Sequence, residues 1–252
     1  MAKPATASIP QQASLVSRWS LDDSPTWGDS VGDNTLTASN MASGAGLFGF
    51  TASGDFEEAS SGYLIRADDA GLSQTGDLTL TALVKLESAP GTDEFDVFAS
   101  KRDGPNDKRS YEFGYRDEGG TKKLFFRGSS NGLSGTEVTV GVTTTLTVGT
   151  EYFVGVSYDA SAGSAAFYVA GAQVGVDQTG LPTSLHDNNS SFVIGTDNEG
   201  GGGVRFDGLM NDVCLFGGVV LSDAEHTTFY ALYTAAAAVT VTPSGLLLMG
   251  VG

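Results

Sequence analysis

The sequence has little cysteine, few basic side chains and little histidine. Its one cysteine, Cys214, rules out an intramolecular disulfide, and the apolar run around it predicts a small buried side chain. Lys and Arg number 13 against 30 Asp and Glu, which gives a formal net charge of −17. Phosphate backbones and anionic lipid repel such a chain, so we expect no nucleic-acid or membrane partner. Two histidines without a Ser or Cys motif do not predict a catalytic triad.

Long hydrophobic runs are also missing. Residues 1–10 contain no apolar stretch of the kind that a secretory signal requires, so we expect no signal peptide. The apolar run at residues 246–252 is far too short to cross a bilayer. We expect the protein to lie in a virion or outside the cell, and to reach that place without a classical export signal.

Glycine, by contrast, is abundant, at 35 of 252 residues, and Ser and Thr accompany it without a fixed period. Many short strands joined by many turns produce this composition. The clearest strand is 77–86, where an apolar face at every second residue alternates with a mostly polar one. Further strands are expected at 16–21, 62–66, 95–100, 110–115, 122–127, 136–143, 151–158, 164–169, 191–194 and 208–216.

One helix is expected near the C-terminus. Ser222 and Glu225 form an S-x-x-E capping box, and apolar residues follow at helical spacing to Tyr233. We expect this helix to lie against the edge of a two-sheet antiparallel sandwich. The predicted organisation is an N-terminal arm at 1–13, a domain at 14–234 and a C-terminal arm at 235–252.

Five segments in order resemble a known family. Residues 76–85 and 98–101 are similar to two early strands of the laminin-G-like jelly roll, of the concanavalin A-like lectin and glucanase superfamily. Residues 152–159 and 166–171 are similar to later strands, and 206–233 to the closing strand and helix. Leu83 stands where the family often has Trp. The resemblance implies an all-β, two-sheet jelly roll, and it supports fold better than function because this scaffold hosts lectins, adhesion modules and hydrolases.

The resemblance also implies a structural calcium ion. In this superfamily an aspartate of the closing strand and an early glycine carbonyl often hold Ca²⁺. The matching positions are Asp212 and Gly54, with Asp22 as a further candidate. The alternative is that Asp212 closes a hydrogen-bond network at the strand.

Glycan binding is a second possibility, through loops that carry Asp, Asn and aromatic residues. The alternative is that these residues are ordinary turn formers. The polar candidates are Asp103, Asn106 and Asp107, then Asp187, Asn188 and Asn189, then Asp197, Asn198 and Glu199; the aromatic candidates are Trp27, Tyr111 and Tyr115.

Catalysis is disfavoured. Related glucanases carry two Glu and an Asp along one strand, and Glu94 and Asp96 match the first two positions. Phe98 or Ala99 stands where the acid belongs, so the proton donor is missing. We therefore expect a protein that is not an enzyme.

Three functions are compatible with these features. The first is a decoration or adhesion protein of a virion, such as a phage capsid or tail, whose C-terminal arm contacts neighbouring subunits in a homo-oligomer. The second is a secreted carbohydrate-binding or cell-adhesion module, and the third is a glycoside hydrolase. We favour the first, which is compatible with glycan binding.

Overall fold

The computed structural model of the chain describes residues 3–197 and 205–238, with side chains up to residue 235. These residues form sixteen strands, one α-helix and several short 3₁₀ turns. The strands are β1 Leu15–Trp19, β2 Thr37–Ser39, β3 Ala42–Ala45, β4 Ala52–Phe56, β5 Tyr63–Arg66, β6 Leu78–Leu86, β7 Phe95–Asp103, β8 Lys108–Glu118, β9 Thr121–Ser129, β10 Glu137–Thr143, β11 Glu151–Asp159, β12 Ser164–Val169, β13 Ala172–Gln173, β14 Gln178–Thr179, β15 Phe192–Ile194 and β16 Gly208–Gly217; the helix is α1 Asp223–Ala238.

All strand pairs within the described residues are antiparallel, and they form two sheets. The nine-stranded sheet has the order β13-β12-β11-β6-β16-β4-β3, with β1 beside β16 and β14 beside β12. The seven-stranded sheet has the order β10-β9-β8-β7-β15-β5-β2. The expected all-β sandwich is confirmed. For β5 to β12, both the start and the end of each expected strand lie within three residues of the observed bounds.

The main core lies between the sheets. Large side chains such as Phe98, Phe113, Phe126 and Tyr158 meet there, and they are at most 1% exposed. At about 25 cal/mol per Å² of buried apolar surface, this layer is the principal source of stability. It needs no disulfide, and Cys214 is buried and unpaired as expected.

A second apolar cluster covers the outward face of the nine-stranded sheet. Phe229 and Tyr233 of α1 pack on Phe153 and Phe216 there. The helix therefore lies on a sheet face and not at the sandwich edge, so the expected position was wrong. Leu83, at the family's Trp position, belongs to this cluster.

The helix begins as predicted. Both Ser222 N and Ser222 Oγ donate to Glu225 Oε2 at 2.8 Å, and Glu225 N donates back to Ser222 Oγ at 3.4 Å. The alanines extend the helix to Ala238, past the predicted domain end at 234. The rest of the predicted C-terminal arm, 239–252, lies outside the described residues.

The N-terminal segment is packed onto the domain from Lys3 onward. Ile9 is 4% exposed and joins the cluster under the helix. Pro4 O and Thr6 Oγ1 both accept hydrogen bonds from Arg18 Nη1, at 2.8 and 3.2 Å. Within the described part of the chain, no helix is long and apolar enough to cross a membrane.

Candidate functional site

Asp212, the principal candidate for calcium, is already neutralised by an arginine. Arg18 donates from Nε to Asp212 Oδ1 at 2.7 Å and from Nη2 to Asp212 Oδ2 at 2.8 Å. Tyr233 Oη donates to Oδ2 at 2.7 Å. All three side chains are at most 1% exposed. Burial alone would lower the pKa of Arg18, but the bonds to Asp212 raise it above its usual value.

This arrangement argues against a divalent cation at Asp212, because a guanidinium already touches both carboxylate oxygens. Gly54 lies in the β4–β16 ladder opposite Met210, near the side chains of Leu21, Met41 and Phe56. Asp22 faces Lys3 at 3.6 Å. Arg18 thus supplies at Asp212 the positive charge that the resemblance assigned to calcium.

The backbone at Asp212 departs from regular strand geometry. β16 pairs with β4 up to Met210 and with β1 from Val213, and a bulge separates the two stretches on the β6 side. Asp212 adopts the left-handed region, with φ of 45°. Its N–H and the Asn211 amide both donate to Ser20 O, at 3.2 and 2.8 Å. The site is therefore a structural joint between β1, β4 and β16.

The polar residues predicted for glycan binding are partly brought together at one end of the seven-stranded sheet. Asp103 accepts from Asn106 Nδ2 with both oxygens at 2.9 Å, within the β7–β8 turn. Asn188 Nδ2 donates to Lys108 O at 2.9 Å, which fastens the loop before β15 to the same turn. These side chains hold loops in place. Asn198 and Glu199 lie outside the described residues.

The predicted aromatic platform was wrong. Trp27 and Tyr111 are each 1% exposed, and Tyr115 is fully buried. Tyr111 Oη donates to Leu72 O at 2.7 Å, and burial raises the pKa of its phenol. All three rings belong to the core between the sheets, so none can stack on a sugar.

The outward face of the seven-stranded sheet carries a cluster of charged and aromatic side chains that no sequence motif singled out. On β8 and β9 the core residues alternate with Glu112, Arg116, Phe125 and Arg127, which point away from the core. The Arg127 guanidinium lies 4.8 Å from the centroid of the Phe95 ring, and that of Arg116 lies 5.6 Å from it. A partly exposed phenyl ring is thus flanked by two cations.

Carboxylates complete this arginine–phenylalanine face. Arg127 Nη1 lies 3.3 Å from Glu112 Oε1, and Arg127 Nε donates to Thr139 Oγ1 at 3.1 Å. Further along, Arg102 Nε donates to Glu137 Oε1 at 2.6 Å and Arg102 Nη1 to Asp197 Oδ2 at 2.8 Å. The face therefore offers fixed donors and acceptors beside an apolar ring.

A sequence signal for this face exists. Residues 101–127 contain eight of the thirteen Lys and Arg of the chain, but five of the thirty Asp and Glu. In a chain with net charge −17, this hairpin is a local concentration of positive charge. Strand alternation then assigns Arg116 and Arg127 to the face opposite the core.

Glu94 and Asp96, which match the first two glucanase positions, do not place a carboxylate pair on the outward face of the seven-stranded sheet. Phe95 points outward, whereas Asp96 pairs across the ladder with the core residue Tyr115 and is 5% exposed. Burial, then the charges of Glu58 and Asp207, raise the pKa of Asp96 to about 8. Phe98 or Ala99 stands at the last position of the motif, and neither can donate a proton.

The two histidines do not form a catalytic group either. His226 Nε2 lies 2.9 Å from Ser157 Oγ, but His226 is fully buried between α1 and the sheet, and the centroid of its ring lies 3.6 Å from that of Tyr168. Burial lowers the pKa of His226 to about 3, so the ring is neutral. His186 lies in a loop at the far end of the domain, beside Gly132.

Solved structures of the same fold include a domain of an arabinanase and the binding domains of two toxins. Domain 4 of AbnA, a GH43 extracellular arabinanase from Geobacillus stearothermophilus, solved with arabinotriose, is 17% identical with a TM-score of 0.63, over 86% of this chain and 98% of that one. The binding domain of Paraclostridial Mosquitocidal Protein 1 is 12% identical with a TM-score of 0.67, over 88% of this chain. The binding domain of botulinum neurotoxin serotype G is 10% identical with a TM-score of 0.64, also over 88%.

The chain spans about half the length of the two toxin binding domains, 52% and 51%. No curated protein matches the sequence. The laminin-G-type family described as the concanavalin A-like lectin/glucanases superfamily matches residues 58–225, about two thirds of the chain. Together with the two-sheet sandwich, this match shows that the chain belongs to the concanavalin A-like lectin/glucanases superfamily.

Proposed function

We propose that this protein is a non-catalytic module that binds glycans on the outward face of its seven-stranded sheet. The observation that carries the proposal is the Phe95 ring between Arg116 and Arg127, with Glu112 and Thr139 beside them. Guanidinium groups donate to paired hydroxyls or carboxylates, carboxylates accept from hydroxyls, and a phenyl ring packs against the apolar face of a sugar.

The position of this face supports the proposal. The outward face of the other sheet is covered by α1 and the N-terminal segment. The arginine–phenylalanine face carries no such apolar cover in the described part of the chain. Its side chains are also fixed by ion pairs, so little side-chain entropy is lost when a ligand binds.

The similar structures support the same class of ligand. One was solved with arabinotriose, and a botulinum neurotoxin binding domain of the same fold was solved with SialylT. A hydrolase is not supported, because Asp96 points between the sheets and Phe98 or Ala99 stands at the acid position.

The finer proposal is that the module decorates a virion and mediates its adhesion. It rests on the C-terminal arm that the sequence predicts at 235–252, which ends in an apolar run at 246–252. Particles assembled with a chain ending at residue 238 are expected to lose this subunit. Unchanged incorporation would contradict the virion proposal and leave glycan binding intact.

A glycan array with the purified chain tests the binding proposal. Arg116→Gln and Phe95→Leu are each expected to weaken binding of a positive glycan about five- to thirtyfold, since each removes a contact of about 1–2 kcal/mol. Lys85→Gln, which removes one cation from the opposite sheet, is the matched control and is expected to bind normally. Binding that survives both site substitutions, or no hit at all, would refute the proposal.

A further inference from the structure

The strand β10 gives the seven-stranded sheet one long edge without a partner strand. It has seven residues, whereas β2 at the opposite end of the same sheet has three, and β3 and β13 at the ends of the other sheet have four and two. Among the described residues, β10 makes backbone hydrogen bonds to β9 alone. In an antiparallel pair every second residue turns its N–H and C=O away from the neighbouring strand, so about half of the β10 backbone groups face outward from the sheet.

This edge is accessible to water. Five of the seven residues of β10 are half-buried, Val142 is buried and Thr143 is exposed. The short strand β14 approaches β10 from the facing sheet, yet no backbone hydrogen bond joins the two in the described part of the chain. An accessible edge with unpaired backbone groups is a template for a further strand.

β10 has none of the features that usually block pairing at a free edge. Its register with β9 runs from Glu137 to Thr143 without a bulge. Residues 138–150 contain no proline and no charged residue, and five of the seven residues of β10 are Val or Thr, which favour strands. Natural sheets usually protect such an edge with lysine, proline or a bulge. The sequence of β10 therefore favours pairing with another strand.

The charge distribution favours a second copy of this chain as the partner. With a net charge of −17, two copies repel each other wherever their carboxylates meet, but β10 presents an edge that is almost uncharged. Full overlap of two antiparallel β10 strands places Glu137 of each copy opposite Thr143 of the partner subunit, so no like charges face each other. Glu137 is also neutralised within its own chain, because Arg102 Nε donates to Glu137 Oε1 at 2.6 Å.

We propose that two copies of this protein pair through β10 and join their seven-stranded sheets into one of fourteen strands. A twofold axis perpendicular to the sheet makes the two β10 strands antiparallel, and it keeps both arginine–phenylalanine faces on the same side. At a strand spacing of about 4.8 Å, the two Phe95 rings lie about 34 Å apart across the joined sheet. The dimer forms without a glycan, so the inference goes beyond the proposed function, and it presents two binding faces to one surface.

Sedimentation velocity of the full chain, at concentrations up to about 1 mM, tests the dimer. Added NaCl is expected to strengthen association, because salt screens the repulsion between two acidic copies. Thr143→Glu places a Glu–Glu pair at each end of the paired strands and is expected to weaken dimerisation about fivefold. Thr143 is exposed, so the fold is expected to tolerate the change. Thr37→Glu adds the same charge to the exposed strand β2 and is the matched control, expected to dimerise like the wild type.

Two further measurements test the register and the place of contact. Thr143→Lys is expected to dimerise at least as tightly as the wild type, because each lysine faces Glu137 of the partner subunit. Hydrogen exchange of the β10 amides is expected to slow as the protein concentration rises, whereas exchange in β2 stays constant. The proposal is overturned if the wild type remains monomeric, if Thr143→Glu and Thr37→Glu weaken association equally, or if β10 exchange does not depend on concentration. None of these results bears on glycan binding by the single subunit.

Discussion

Replacing Asp96 by Asn is expected to stabilise the protein increasingly as the pH rises. The Asp96 carboxyl is held between the sheets, where burial and neighbouring charges raise its pKa from 3.8 to about 8. The folded protein therefore keeps a proton on Asp96 that the unfolded chain releases. The charges that act on the Asp96 carboxyl are those of Glu58, Asp207, Lys122 and Glu94. Tyr115 lies opposite Asp96 in the β7–β8 ladder.

The sign follows from proton linkage. When folding raises the pKa of a carboxyl, the free energy of unfolding of the protein falls as the pH rises from the unfolded pKa to the folded pKa. Each pH unit in that window costs about 1.4 kcal/mol. Between pH 5 and pH 8 the stability of the wild type should therefore fall by roughly 4 kcal/mol relative to Asp96→Asn. Local relaxation would make the measured difference smaller.

The assay is urea unfolding of both proteins in EDTA at several pH values, with the free energy of unfolding compared at each. Asp55 and Glu87 remain in both proteins, so their own titration largely cancels in the comparison. Asp33→Asn serves as the control and should track the wild type. A stability difference that stays constant from pH 5 to pH 8 would refute the reasoning, because Asp96 would then carry the same charge in both states.

Three further outcomes are expected. Arg18→Met should destabilise the fold by about 3–5 kcal/mol in urea unfolding, since the buried Asp212 would lose its partner; a loss below 1 kcal/mol would contradict the pairing. His226→Gln should reduce the loss of stability between pH 6.5 and pH 4 by about 3 kcal/mol, because folding lowers the histidine pKa and only the unfolded chain takes up the proton. Ser222→Ala should lower the melting temperature by an amount that corresponds to about 1 kcal/mol, through loss of the cap with Glu225, whereas Thr228→Ala on the same helix should change it less.

The strands with regular alternation could be predicted from the sequence. The pattern of 77–86 became β6, and the capping box at Ser222 became the start of α1. The short strands β2, β3 and β4 were missed, because they hold few large apolar residues. β2 pairs with β5 and β4 pairs with β16, both distant in sequence, whereas β3 and β4 pair across a short connection that no regular apolar alternation marks.

The buried polar face of β6 shows what local pattern leaves out. Thr79 and Thr81 alternate with the core residues and were expected on a polar face, yet they are at most 1% exposed. The helix and its preceding loop cover them, and Thr79 Oγ1 donates to Val219 O at 3.2 Å. Burial of this face depended on where α1 docks.

The all-β class, the strand alternation and the helix cap could be predicted because they follow from interactions between residues close along the chain. Which charges meet depends on how the strands and the helix pack together. This packing brought Arg18 to Asp212 across 194 positions and turned Tyr111 into the core. It also brought Asp55 and Glu57, at the end of β4, close to Glu87, which follows β6. Electrostatic energy depends on distance in space, and sequence spacing does not report that distance for residues on different strands.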